Sequence, residues 1–207
     1  MAVNTSDVSK ETPKRLYGKR AIIFNVLFVF FCMMISYTLT NTFFQTVPIE
    51  GTSMLDTFYD EDIVIIYKLG NYKRGDLIIF ISPDTYGNPV NELEYYVKRI
   101  IGLPGDTVDV QYNSDLGEWQ TRVNGELIDE PYVLPENEGG VSCKTTVPEG
   151  RFFFMGDNRK VSKDSRRGEL GTLSREAIKG RVIVRYYIGD DRSGKFEFDI
   201  DFIKRGE

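Results

Sequence analysis

Residues 95–106 read Tyr-Tyr-Val-Lys-Arg-Ile-Ile-Gly-Leu-Pro-Gly-Asp. The first seven are aromatic, β-branched or long side chains, and Pro104-Gly105-Asp106 closes them with a turn signal, so the stretch reads as a strand running into a tight turn. On a strand, successive side chains point to opposite faces. Tyr96, Lys98 and Ile100 therefore share one face, and Val97, Arg99 and Ile101 share the other. The same grammar recurs in IVIIY (63–67), LIIFI (77–81), TVDV (107–110), WQTRV (119–123), RFFFM (151–155), RVIVRYY (181–187) and KFEFDIDFI (195–203). Each run is bounded by Gly, Pro, Asn or Asp, as at Asn124-Gly125 and Arg192-Ser193-Gly194. In the last run Phe196, Phe198, Ile200 and Phe202 alternate with Glu197, Asp199 and Asp201. Only Ser174 to Gly180 reads as a short helix, with Ser174 as its N-cap and Gly180 as its stop. Between about 107 and 150 the chain turns polar and turn-rich, which predicts a smaller β subdomain inserted in the main sheet. The expected fold class is mainly β: an antiparallel sheet domain over 40–207, behind one N-terminal apolar helix.

That helix is Ala21 to Leu39, nineteen residues without a charge. At ~1.5 Å per residue it would reach about 28 Å, close to the ~30 Å hydrocarbon core of a bilayer. A cleaved leader would carry a shorter apolar stretch and a small-x-small cleavage site, and a core helix would show a polar face. Neither pattern is present, so the segment reads as a retained anchor. Lys10, Lys14, Arg15, Lys19 and Arg20 precede it, and no Lys or Arg follows until Lys68. By the positive-inside rule, residues 1–20 stay in the cytoplasm and the rest is exported. With five basic and two acidic residues, 1–20 carry +3; against a formal net charge of −5, the remainder carries −8.

Composition excludes several chemistries. The 207 residues include no histidine, which removes every Ser-His-Asp triad, Cys-His dyad and histidine-bearing zinc site. The acidic balance argues against a general nucleic-acid binder. Cys32, inside the apolar helix, and Cys143, outside it, cannot pair with each other. Proton transfer near neutrality falls to Lys, Asp, Glu, Tyr or Cys in a perturbing environment.

Three clusters could carry chemistry. In Pro48-Ile-Glu-Gly51-Thr52-Ser53-Met54, Gly51 permits an unusual backbone angle beside a hydroxyl, as a nucleophile on a tight turn needs; an ordinary loop serine fits the same residues. In 95–106, Lys98 lies among apolar neighbours, where desolvation lowers its pKa toward that of a base, although its ammonium could also reach water along a packed stem. In Met155-Gly-Asp157-Asn-Arg-Lys-Val-Ser162-Lys-Asp164-Ser-Arg166, hydroxyls, carboxylates and cations alternate, which suits a self-bonded loop or a solvated charged turn. Without histidine, serine plus lysine is the simplest nucleophile–base pair on offer.

PIEGTSM (48–54), GDLIIF (75–80), YVKRIIGLPGD (96–106) and MGDNRKVSKDSR (155–166), in this order behind an N-terminal anchor, resemble bacterial type I signal peptidases. The resemblance runs from the apolar helix to about Tyr187. It implies Ser53 as nucleophile and Lys98, neutral before attack, as general base, with Ser162 hydrogen-bonding the lysine amine. It further implies Asp157–Arg99 and Asp164–Arg166 as structural ion pairs, and the Ser53 N–H as one oxyanion donor. At Gly51 some family members carry a hydroxyl as the second donor; glycine leaves that donor unidentified. Asp56 stands where the family usually has proline, and it is expected to accept from a turn N–H rather than face Lys98. Leu173-Ser174 departs modestly from the family pattern. The implied substrates are translocated preproteins with small residues one and three positions before the cut, bound as an added strand near the outer leaflet. No metal or organic cofactor is needed. A dedicated protease for pilus or surface-protein precursors, and an inactive membrane-anchored binding homologue, fit the same residues.

Overall fold

The structure, a computed structural model, describes residues 18–81, 95–168, 170–190 and 196–203. Helix α1 spans Lys19–Phe43, longer than the uncharged stretch at both ends, and none of its residues is buried. Its large apolar side chains from Ile22 to Leu39, Phe24 and Phe31 among them, are 43–68% exposed. A water-soluble helix would hide such a surface, so by length and composition α1 is a candidate to cross a membrane.

The remainder forms two antiparallel sheets. Strands β1 (Phe44–Pro48), β2 (Ile63–Tyr67), β3 (Leu77–Ile81), β4 (Tyr95–Gly102), β9 (Arg151–Met155), β10 (Leu173–Ser174), β11 (Ile178–Asp190) and β12 (Phe196–Phe202) make the larger one. Its order is β1-β2-β11-β3-β4-β9-β10, with β12 paired to β11. Strands β5 (Thr107–Asn113), β6 (Glu118–Val123), β7 (Glu126–Leu127) and β8 (Cys143–Thr146) make the smaller, in the order β7-β6-β5-β8. The polar 107–150 stretch thus carries a sheet of its own.

Turn chemistry fixes the registers. Asn124 and Gly125 both have positive φ, 55° and 87°, which suits the two-residue hairpin joining β6 to β7. At the β5–β6 tip, Asn113 Oδ1 accepts from the N–H groups of Asp115 and Leu116, and the tip residues 114–117 are exposed. The turn expected at Arg192-Ser193-Gly194 lies outside the described residues, as do the side chains of the alternating run 196–202.

Alternation along β4 sets the core. Val97 joins Val47, Ile49, Met54, Phe58, Val64, Ile66, Leu77, Ile79 and Val182 in one cluster, while Ile100, on the Lys98 face, packs with Ile78, Phe80, Phe152, Phe154 and Tyr96. A third cluster seals the two sheets together, with Ile101, Phe153 and Met155 against Val108, Val110, Val123 and Val147. Gly102 sits at that seam, where an added Cβ would meet Val108 Cγ2 at 2.5 Å.

The helix expected over Ser174–Gly180 does not form. Ser174 ends β10 with no side-chain cap bond, a single 3-10 turn covers Arg175–Ala177, and β11 begins at Ile178. Gly180 is a strand residue in β11, and a Cβ there would lie 2.8 Å from the Tyr67 carbonyl oxygen. It therefore marks a close backbone approach to β2, and that pairing outweighs the local helix signals.

Candidate active site

The turn between β1 and β2 presents Ser53. Gly51 has φ +87°, a conformation that favours glycine, and its N–H donates to Asp60 Oδ1 at 2.8 Å. Met54 and Phe58 are 1% and 0% exposed, and the Phe58 N–H donates to the Met54 carbonyl. Each such side chain contributes roughly 1.5–3 kcal/mol on burial, enough to hold the turn from below. Ser53 stays half-buried above them.

Lys98 comes from β4, opposite Ile78 of β3. Its side chain is 1% exposed, so the amine is stripped of water instead of reaching out along its stem. Nζ lies 2.7 Å from Ser53 Oγ and donates to the Val97 carbonyl at 2.9 Å. The Tyr96 ring centroid is 5.6 Å away. Burial pushes the Lys98 pKa down to about 8, while the Asp164 and then the Asp157 carboxylates restrain the fall.

The loop after β9 forms the floor. Asp157, Asn158, Arg159, Ser162, Asp164, Ser165 and Arg166 are all buried, which separates this loop from a solvated turn. Asp157 accepts from Arg99 Nε and Nη2 at 2.9 and 2.6 Å, and from Thr57 Oγ1 at 2.5 Å. Asp164 accepts from Arg166 Nε and Nη2, both at 2.8 Å. Burial disfavours the Arg99 charge, but Asp157 more than compensates and holds its pKa above the usual arginine value. Asn158 reaches the turn that carries Ser53, its backbone N–H to the Ser53 carbonyl and its side-chain amide to the Thr52 carbonyl, each at 3.1 Å. Gly156 lies so close that a Cβ would stand 2.3 Å from Ser162 Oγ and 2.4 Å from the Ser53 carbonyl oxygen.

Two expectations differ from what the structure holds. Ser162 Oγ is buried but has no hydrogen-bond partner, and both bonds of the Lys98 amine go elsewhere, to Ser53 and Val97. Asp56 does not accept from a turn N–H. Its carboxylate takes the Tyr59 hydroxyl at 3.2 Å and the Asn137 amide at 3.3 Å, two side chains that outcompete backbone donors already engaged elsewhere. The Tyr59 N–H, for instance, donates to Asp62.

The polar excursion supplies groups that no motif flagged. Glu130 holds Arg159 through a two-pronged ion pair at 2.9 and 2.5 Å. Burial alone would raise the Glu130 pKa, and Arg159 reverses this, leaving it lowered. The Tyr132 ring stacks 3.8 Å from the Arg99 guanidinium carbon, and its hydroxyl donates to Glu130 at 2.9 Å. Burial raises the Tyr132 pKa, so this hydroxyl remains a donor. No group of acidic or thiol side chains suited to a metal ion occurs among the described residues. With a hydroxyl and a desolvated amine in contact, the arrangement can do nucleophilic chemistry.

Comparison with known proteins converges on one group. The family described as signal peptidase, peptidase S26, matches residues 22–187. A signal peptidase I of Bacillus licheniformis is 38% identical over 151 residues, covering 66% of this chain and 73% of its own. Signal peptidase I S of Bacillus subtilis (strain 168) is 30% identical over 199 residues, covering 89% of this chain and 95% of its own. A crystal structure of a signal peptidase I from Enterococcus faecalis V583 aligns with a TM-score of 0.42 at 29% identity, covering 55% of this chain and 97% of that one.

Proposed function

The chain belongs to the signal peptidases of peptidase family S26, and from that premise we propose that it is a membrane-anchored serine endopeptidase that removes N-terminal signal peptides from translocated preproteins, with Ser53 as nucleophile and Lys98 as base. The observation that carries this reading is the 2.7 Å contact between Ser53 Oγ and an amine that is 1% exposed.

An amine with a pKa near 8 is neutral in a useful fraction of molecules at physiological pH, and only the neutral form can accept a proton. As Ser53 Oγ adds to the scissile carbonyl carbon, Lys98 Nζ takes the hydroxyl proton. Collapse of the tetrahedral intermediate breaks the C–N bond, and the same proton passes to the departing amine. A water then adds to the acyl-serine and gives its proton to Lys98; collapse breaks the bond between the acyl carbon and Ser53 Oγ, Lys98 returns that proton to Ser53 Oγ, and the signal peptide leaves with a new carboxylate. The Ser53 N–H has no hydrogen-bond partner among the described residues, which leaves it free to donate to the oxyanion; loss of such a donor typically costs ~10²–10³ in rate. Asp157, Arg99, Asp164 and Arg166 keep the floor rigid, and Gly51 lets the turn lift Ser53 above Met54. Ser162 lies buried beside Gly156 in the same floor, its hydroxyl without a hydrogen-bond partner.

The substrate is an extended segment with small residues one and three positions before the cut. The anchor α1 holds the enzyme in the bilayer, where such segments emerge, with residues 1–20 cytoplasmic and the sheets outside. The test is cleavage of a synthetic preprotein peptide by wild type, Ser53→Ala and Lys98→Met in detergent micelles. Both variants are expected to lose essentially all activity while melting cooperatively. Cleavage at a near-normal rate by either one overturns the assignment.

A further inference from the structure

The turn that carries Ser53 has a run of carbonyl groups to satisfy, and each finds a donor. The Thr52 carbonyl accepts from the Leu55 N–H at 3.3 Å and from the Asn158 side chain; the Ser53 carbonyl accepts from the Asn158 N–H; the Met54 carbonyl accepts from the Phe58 N–H at 2.9 Å. The Leu55 carbonyl takes its donor from far along the chain, the Asn137 side-chain amide at 3.1 Å. The other hydrogen of that amide goes to Asp56 Oδ2 at 3.3 Å, so both of its donors are spent on the two residues that end the turn.

Asn137 is itself held. It closes the 3-10 turn Pro135–Asn137 with its N–H on the Leu134 carbonyl at 2.8 Å, and its own carbonyl accepts from the Lys160 N–H at 3.2 Å. Lys160 lies in the floor loop, between Asn158 and Ser162. One half-buried residue on the polar excursion thus joins the two, its side chain bonded to the far end of the nucleophile turn and its backbone carbonyl to the floor loop, while Asn158 joins the near end.

We propose that Asn137 is a positioning residue for the Ser53–Lys98 pair: its amide pins the Leu55–Asp56 end of the turn to the floor loop and so keeps Ser53 Oγ within reach of Lys98 Nζ. The inference rests on Ser53 being the nucleophile. Asn137 touches neither reacting atom, so its effect runs entirely through the turn. Released at that end, the turn keeps its buried anchors Met54 and Phe58 but can swing its hydroxyl, and a misplacement of about 1 Å can cost as much as ~100-fold in rate.

The experiment uses the full chain in detergent micelles and a quenched peptide with alanine one and three positions before the cut. Asn137→Ala is expected to lower kcat about tenfold, with KM within twofold and the melting temperature close to wild type. Asn137→Asp keeps the volume but turns the donor into an acceptor facing the Leu55 carbonyl and the Asp56 carboxylate, and it is expected to fall at least as far. Wild-type kcat in either variant, or a loss accounted for by a smaller folded fraction with normal turnover per folded molecule, overturns the proposal. Ser53→Ala run in parallel separates the two readings: cleavage surviving there removes the nucleophile assignment itself, whereas its loss there together with unimpaired Asn137 variants removes only the role of Asn137.

Discussion

Replacing Lys98 by methionine tests the state of the amine without reference to catalysis. In wild type the folded amine titrates near 8, whereas in the unfolded chain it titrates near the ordinary lysine value of 10.5. Below pH 8 the amine is charged in both states, and the folded state bears the full burial penalty. Between 8 and 10.5 the folded amine is neutral while the unfolded one still holds its proton. The unfolded state then binds more protons, so stability rises with pH; above 10.5 both forms are neutral and the curve is flat. At about 1.4 kcal/mol per pH unit, the step amounts to about 3 kcal/mol. The side chain is 1% exposed, so solvent screening takes little from that figure. Methionine keeps the length of the stem and has no proton to exchange. Chemical denaturation of both proteins in a mild detergent from pH 6.5 to 11 is expected to show wild type gaining about 3 kcal/mol relative to Lys98→Met, with the gain confined to the alkaline half of the range. Other lysines and tyrosines titrate alike in both proteins and cancel in the difference. A flat difference curve, or a gain for methionine as pH rises, would refute the claim that burial suppresses the charge of Lys98.

Two further outcomes follow from neighbouring contacts. Gly156→Ala places a methyl carbon 2.3 Å from Ser162 Oγ and 2.4 Å from the Ser53 carbonyl oxygen, so it should cost about 1–3 kcal/mol of stability and most of the activity; a variant with normal turnover and melting would show that the floor is looser than this. Asp56→Asn should leave the acid limb of the pH–rate profile, expected near the Lys98 pKa of about 8, in the same place as in wild type, because Asp56 is bound to Tyr59 and Asn137 and the carboxylates that bear on Lys98 are Asp164 and Asp157. A displacement of that limb toward acid by half a unit or more would place the Asp56 carboxylate against the amine instead.

The strands were legible where a run of β-branched or aromatic residues stood between turn signals, as in β2, β3, β4 and β9. Those that escaped had no such signal. β7 and β10 are two residues each, and β1 follows α1 with no turn signal between them. The Ser174–Gly180 stretch shows why local grammar can mislead: its cap and stop residues are real helix signals, but Gly180 is needed where β11 meets the Tyr67 carbonyl, a demand written some 110 residues earlier. That Ser53 and Lys98 would meet was readable because both lie in motifs of distinctive composition. Asn137, Glu130 and Tyr132 were not, since each acts through a partner remote in the chain and occupies a segment whose polar character suggests only surface.

The anchoring of Arg159 and of the Leu55 carbonyl by residues beyond β7 bears on how the chain can be re-engineered. Trimming the smaller sheet to make a minimal protein would unfasten the loop after β9 and the turn that carries Ser53, even though neither Ser53 nor Lys98 lies in the part removed. The place to splice in a tag or a reporter is the exposed β5–β6 tip at 114–117, where among the described residues the bonds to be redrawn are the hairpin's own.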